Sequence, residues 1–454
     1  MVSTLTAHRN LTMAHFISVS AKAALGIFLL MTPAGCRQPA RNPVTLIYFR
    51  PGWRQLDPTW EIVSRQFTRE TGVQIRDLPT PESTLDQLNL SRKLLQENSS
   101  GPDVLGVDLI WSGALGEDLI DLHHYLATEM SSLEPQLVSS YTVDSEVVAV
   151  PYRVQVGVLE YRTDLLREYG YSHPPKTWDE LENMAARIQS GERAKGKKDF
   201  WGYVWQGAAT EALTCNALEW QAAEGGGRII EADRTISVNN PATIRAWRRA
   251  KRWIGWISPP SVLAYREMDS MSVFDSGGAA FVRVWGRTAI TPSSQNRILQ
   301  WRTSMDAGRT GYTSIPGGPG GWAGTLGGAG LAVSRHSAHP QEAIEFVRFL
   351  IRAGIRLSDQ GQVASGSAQP EFYNLPSISD TDDGTRKSSQ LRSMLVSRPS
   401  NQAGSKYEQV TRAYIGAVHS VLTGQRDAPQ AADELEKRLI EITGFHSGPP
   451  KNAD

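Results

Sequence analysis

His336 and His339 stand three residues apart and His123 and His124 are adjacent, so the first question is whether imidazole could hold a metal here. A tetrahedral site needs four ligands, and His336 and His339 lack a nearby third and fourth in sequence. His336 and His339 flank a loop ahead of a helical stretch, which suits a surface or capping role, and His123-His124 reads as structural. No Gly-x-Ser-x-Gly elbow, His-Glu-x-x-His helix or cysteine–histidine framework is present, so the motifs spell out no nucleophilic or zinc-hydrolase chemistry and imply no cofactor. Acidic residues are plentiful, which leaves a glycosidase-type carboxylate pair open without singling one out.

A different theme recurs. Aromatic, glycine and polar residues gather at the ends of elements: Asp108 with Trp111; Tyr152 with Arg153 and Gln155; Trp201, Tyr203, Trp205 and Gln206; Trp285; and Trp322 with Gly327-Gly328. A sugar offers apolar C–H faces and a rim of hydroxyls. Holding one takes an aromatic plate under the ring and fixed polar groups around its edge. Each hydroxyl buried without a partner costs about 1–3 kcal/mol, so those polar groups must be well placed. The chain carries 13 Trp against 11 Phe. A tryptophan taken singly fits a hydrophobic core better than a site, so this reading rests on the clusters.

These residues need elements to position them. Val44 to Phe49 is a buried-strand signature. Asp57-Pro58 then caps a helix with Trp60, Val63 and Phe67 on one face, ended by Gly72. A strand from Val73, a helical pattern over Leu85 to Leu95 and a strand from Pro102 towards Trp111 follow. Strand, helix, strand, helix, strand is the signature of a mostly parallel α/β sheet. Val147 to Pro151 and Val154 to Tyr161 read as two strands, with Pro151 as the break and the crossover between lobes. Thr177 and Glu180 form a capping box for a helix burying Trp178, Leu181, Ala185 and Ile188, and 191–198 reads as a polar loop. Pro241 to Ile257 is a helix whose Arg245, Arg248, Arg249, Lys251 and Arg252 suit a solvated face. Residues 316–330 are glycine-rich without a following Gly-Lys-Ser/Thr, so they form no phosphate loop; they read either as a flexible surface loop or as backbone a ligand can approach. Helices are expected over 341–357 and 428–442, with surface loops over 377–405.

Composition narrows the partners. Lys+Arg and Asp+Glu both number 47, and zero net charge argues against nucleic acid, which needs a basic excess. A mean hydropathy of −0.33 excludes a multi-span membrane protein. At 454 residues the chain is long enough for two lobes. Lys22, the short apolar run Ala23 to Met31 and small residues up to Gly35 read as a secretory leader, with Met1 or Met13 as its start. Ala34-Gly35-Cys36 resembles a bacterial lipobox, which makes Cys36 the expected lipidation site, residues 1–35 the leader and 36–43 a tether. Cys215, in an apolar stretch, is expected as a buried free thiol.

Taken in order, Val104 to Trp111, Val150-Pro151-Tyr152, Val156 to Leu166, Pro174 to Leu181, Trp201 to Gly207, Leu213 to Trp220, Val238 to Pro241, Ala279 to Trp285, Thr325 to Gly328 and Arg398 to Ser400 resemble the bacterial extracellular solute-binding proteins that serve ATP-driven sugar importers, and among them the trehalose/maltose-binding lipoproteins. The resemblance implies a two-lobed α/β periplasmic-binding-protein fold with a ligand cleft, several hinge crossings and closure on the ligand. It implies lobes at 44–150 plus 305–360 and at 151–304 plus 361–446, with 447–454 as a tail. It carries Asp108, Trp111, Trp285, Gly328 and Arg398 into the sugar site, and Arg153, Gln155, Trp205, Gln206 and Arg287 join them. Arg153, Arg287 and Ala329 stand where relatives often carry aromatic residues. Two added arginines suggest an anionic or longer sugar, or a solvated rim. The expected partners are a sugar, the permease subunits of an ABC transporter and, through the lipid, the membrane; no catalysis is expected and the chain is expected as a monomer. The same fold around a non-sugar solute and a carbohydrate-active enzyme are the alternatives.

Overall fold

Apolar side chains on both faces make Thr45–Phe49 (β1) an interior strand, and it lies parallel to Gln74–Leu78 (β2) on one side and Val104–Asp108 (β3) on the other. The computed structural model describes residues 43–50, 58–81, 84–97, 101–131, 133, 135–285, 309–359 and 395–451. Cys36, Asp57, Arg287, the leader and most of the tether lie outside them. Helices Pro58–Thr71 and Thr84–Gln96 connect the three strands, so the α/β reading of this region holds. A hairpin of Thr142–Val143 (β4) and Glu146–Val147 (β5) turns through Asp144 and Ser145, both at positive φ.

The remaining strands complete a sheet of order β2-β1-β3-β10-β6-β8-β7: Val150–Arg162 (β6), Trp201–Val204 (β7), Ala279–Trp285 (β8) and Gly324–Val333 (β10). Thr310–Ser314 (β9) adds to β6 and Leu395–Val396 (β11) to β10. Two of these strands do double duty. β10 pairs with β3 through Ala329–Val333 and with the first half of β6 through Leu326–Leu331. β6 then runs on, and its Gly157–Arg162 half pairs with β8 and β9 instead. The result is two α/β lobes joined by shared strands. Thr310–Ser314, expected in the first lobe, is bonded to the second-lobe half of β6.

Several local expectations are corrected. Pro151 does not break a strand: β6 is continuous through it. Proline is tolerated because the register shifts there, between Ala329 and Gly330, and the first half of β6 is paired in the main sheet only by β10. The helix Trp178–Ala194 continues past Gly191, where a Cβ would come within 2.2 Å of the Tyr169 hydroxyl; glycine makes room for that ring. Glycine-rich 316–330 is not a loop throughout, since β10 already starts at Gly324. Part of 377–405 is ordered into β11 and the short helix Ser400–Ala403. At its start the Trp178 helix forms half of the expected capping box: Thr177 Oγ1 accepts from the Glu180 N–H at 3.2 Å, but the Glu180 carboxylate accepts from the Lys176 N–H, one residue before the cap.

The tryptophan excess is mostly core. Trp178, Trp205, Trp220 and Trp253 pack in the second lobe with ring centroids 4.9–6.5 Å apart, mostly edge to face, an arrangement worth about 0.5–1.5 kcal/mol per pair beyond burial. The basic helix Pro241–Trp253 turns its charge to acidic neighbours: Arg249 meets Asp179 at 2.8 Å, and Arg245 and Arg252 face Glu224 and Glu182. This fits a solvated, paired face. Among the described residues no helix is long and apolar enough to cross a membrane.

Candidate functional site

Directly opposed residues of antiparallel strands share a sheet face, and so do alternate residues of one strand. The register pairs Asp108 with Ala329, Ala329 with Arg153, Gly327 with Gln155, and Gly157 with Trp285. These seven residues therefore form one row across β3, β10, β6 and β8, running from one lobe to the other. The row has a carboxylate at one end, an indole at the other, and small residues with two polar side chains between.

At the Asp108 end β3 gives way to a turn of helix, Leu109–Trp111. The Asp108 carboxylate accepts from the Ile110 N–H at 3.2 Å and lies 3.7 Å from Arg398 Nη2. Burial raises its pKa above 3.8, and the Arg398 guanidinium pulls against that rise. Trp111 is 2% exposed, and its Nε1 has no partner among the described residues. Arg398 is buried as well. Its Nη1 donates to Glu211 Oε1 at 3.1 Å, and Tyr407 and Thr411 donate to the same carboxylate at 2.5 and 2.7 Å. Arg398 thus spans from Asp108 in the first lobe to Glu211 in the second.

Glu211 opens the helix Glu211–Ala223, which is buried nearly all round. Residues four apart share a helix face. Glu211, Cys215 and Glu219 follow that spacing, and the last two bond to β10: the Cys215 carbonyl accepts from Thr325 Oγ1 at 2.9 Å, and Glu219 takes the Thr325 N–H at 3.1 Å. Cys215 is a free buried thiol, its pKa pushed up to about 12 by burial, so it is inert. Glu219 also binds Arg283 through Nε at 3.2 Å and Nη2 at 2.6 Å, with both side chains almost wholly buried. The Arg283 guanidinium lies 4.2 Å from the Trp285 ring centroid. Gly327 underlies the same indole, where a Cβ would come within 2.8 Å of the ring.

Several expected site residues are placed elsewhere. Trp205 is fully buried in the tryptophan cluster and donates its indole N–H to Ser258 at 3.1 Å. Gln206 is core too, donating to Ser270 and to the Arg283 carbonyl and accepting from Asn216. Gly328 opposes Val154, out of line with the row; at φ 149° an added Cβ would meet the Arg153 carbonyl at 2.3 Å, so its glycine serves strand packing, and Gly327 is the one beneath the indole. Arg153 and Gln155 are half-buried on the row. Arg287 is outside the described residues. Glu211, Glu219 and Arg283 were not anticipated; two glutamates eight positions apart in a mainly apolar run were the available signal. His336 meets Asp118 at 3.2 Å in a partly exposed pair.

The family model for bacterial extracellular solute-binding proteins matches residues 53–356. A probable ABC transporter-binding protein of Deinococcus radiodurans is 36% identical over 383 residues, covering 83% of this chain and 89% of its own. Among solved structures, maltose-bound MalE3 of T. maritima superposes with a TM-score of 0.72 at 27% identity, covering 88% of this chain and all of that one. The GacH receptor of Streptomyces glaucescens, solved free and with acarbose, reaches the same score at 19% identity over 90% of this chain and all of its own, a likeness of fold. A model spanning most of the chain and a relative sharing over a third of its residues along nearly its whole length agree with the two shared strands and the row between the lobes: this chain belongs to the bacterial extracellular solute-binding proteins.

Proposed function

We propose that the chain is the substrate-binding component of an ABC importer. It captures a sugar, a disaccharide or oligosaccharide of the trehalose/maltose type, in the cleft between its lobes and delivers it to permease subunits by hinge closure. The observation that carries this is the row from Asp108 to Trp285: an aromatic plate seated on Gly327, the small side chain of Ala329, and polar Asp108, Arg153 and Gln155 on one face shared by both lobes. A carboxylate and an indole at opposite ends suit hydroxyls and C–H faces of one ligand. The relative named for ABC transport and the maltose-bound neighbour point the same way. β6 and β10 serve as the hinge. Residues 1–35 are the leader and Cys36 the lipid attachment, keeping a monomer on the extracytoplasmic side of a membrane; a 26% identical relative in Streptomyces antibioticus is described as a lipoprotein. The protein binds without turnover.

A thermal-shift screen against neutral and acidic mono-, di- and trisaccharides tests the reading. Ligand at about 100 Kd adds roughly 2.7 kcal/mol, so trehalose or maltose should raise the melting temperature. A shift with acidic sugars alone would assign Arg153 and Arg287 to an anionic ligand. No shift with any sugar would overturn the sugar assignment.

A further inference from the structure

Glu219 reaches three of the strands beneath the cleft. It accepts from the Thr325 N–H on β10 and from two nitrogens of Arg283 on β8, and it fills the space above Gly157 on β6, where a Cβ would lie 1.9 Å from Glu219 Oε1. Arg283 would gain little from this pairing as a matter of stability, because taking both charges out of water offsets most of their attraction. Its Nη1 also finds no acceptor among the described residues. What the pair does provide is geometry. A two-point bond fixes the guanidinium plane, that plane lies 4.2 Å from the Trp285 ring centroid, and the indole is thereby held over Gly327.

We propose that Glu219 is a positioning residue for ligand stacking: through Arg283 it sets the plane of the Trp285 indole, and through Thr325 it ties that plane to the strand both lobes share. The ligand-binding half of this inference rests on the sugar reading above.

The full-length chain labelled with 5-fluorotryptophan provides the test. Trp285→Phe deletes one fluorine resonance and so assigns it. In Glu219→Gln that resonance should shift or broaden while those of Trp178 and Trp253 stay in place, and Arg283→Lys, which keeps the charge without the planar fork, should do the same if Glu219→Gln folds poorly. Maltose titration supplies the second arm. Glu219→Gln should weaken binding about tenfold, and adding it to Trp285→Phe should cause little further loss, because both changes remove the same platform. An unmoved Trp285 resonance in the folded variants, or losses that simply add, would overturn the proposal. A wild-type chain that ignores maltose counts against the sugar reading, and the fluorine resonance alone then decides the positioning role.

Discussion

Arg398 meets Glu211 across 187 residues of sequence and reaches towards Asp108 as well, so one guanidinium serves carboxylates of both lobes. Removing a single partner from such a buried group leaves the others charged and desolvated, which costs about 3–5 kcal/mol where the pair is closed off from water. Glu211 keeps bonds from Tyr407 and Thr411, so the low end applies. Arg398→Ala should therefore lower unfolding free energy by about 3 kcal/mol in urea titration, and a loss under about 1 kcal/mol would show that the guanidinium is dispensable to the fold. Burial also explains why the structure places Trp205 and Gln206 in the core, against the sequence reading, while Asp108 stays on the row. Aromatic and amide side chains look alike in a string of letters whether they line a cleft or close a core, and only the neighbours brought in by folding, Trp220 and Ser258 for one, Ser270 and Arg283 for the other, separate the two. Asp108 stands where a strand of apolar residues runs out, and that position is visible without any partner.

At the scale of elements, the helix Trp178–Ala194 offers the clearest dependence on pH. Near its end Glu192 is 1% exposed and receives Lys195 at 2.7 Å and Lys197 at 2.5 Å. Burial alone would raise its pKa; the bonds from Lys195, Lys197 and Tyr169 overcome that and hold it at about 2 against an ordinary 4.5. Between those values the unfolded chain binds the proton that the folded one refuses. Wild type should thus exceed Glu192→Gln in stability above pH 4.5, and the margin should shrink as pH falls towards 2. Urea unfolding at a series of pH values measures it, and a margin that stays constant or widens in acid would refute the assignment. The elements themselves differ in how readable they were. β1 and the helices beginning at Pro58, Trp178 and Ala428 announce themselves through apolar periodicity and caps. Glu211–Ala223 does not, since a helix buried on all sides has no polar face to set a period. β10 is legible only at its Leu331–Val333 end: its earlier glycines carry the signature of a loop, and they stand in a strand because Val156, Trp285 and the Arg153 carbonyl leave no room for side chains.

For the whole molecule, two strands are common to both lobes, with Asp108 and Trp285 on either side of them, and the proposed closure would turn about these strands. Saturating maltose should reduce the radius of gyration in small-angle scattering, with Trp285→Phe requiring more sugar for the same change; a radius indifferent to a sugar that demonstrably binds would rule out closure as the response. The shared strands have one more consequence, for how the chain comes to fold at all. β3 pairs early with β1 but finds its second neighbour only when Ala329 reaches Asp108, about 220 residues later, so the first lobe's sheet stays incomplete until most of the polypeptide exists. Pairings that distant in sequence form slowly. The strands that join the two lobes thus also set when the first lobe can complete its sheet, and the pace of folding is tied to a joint that arrives late in the chain.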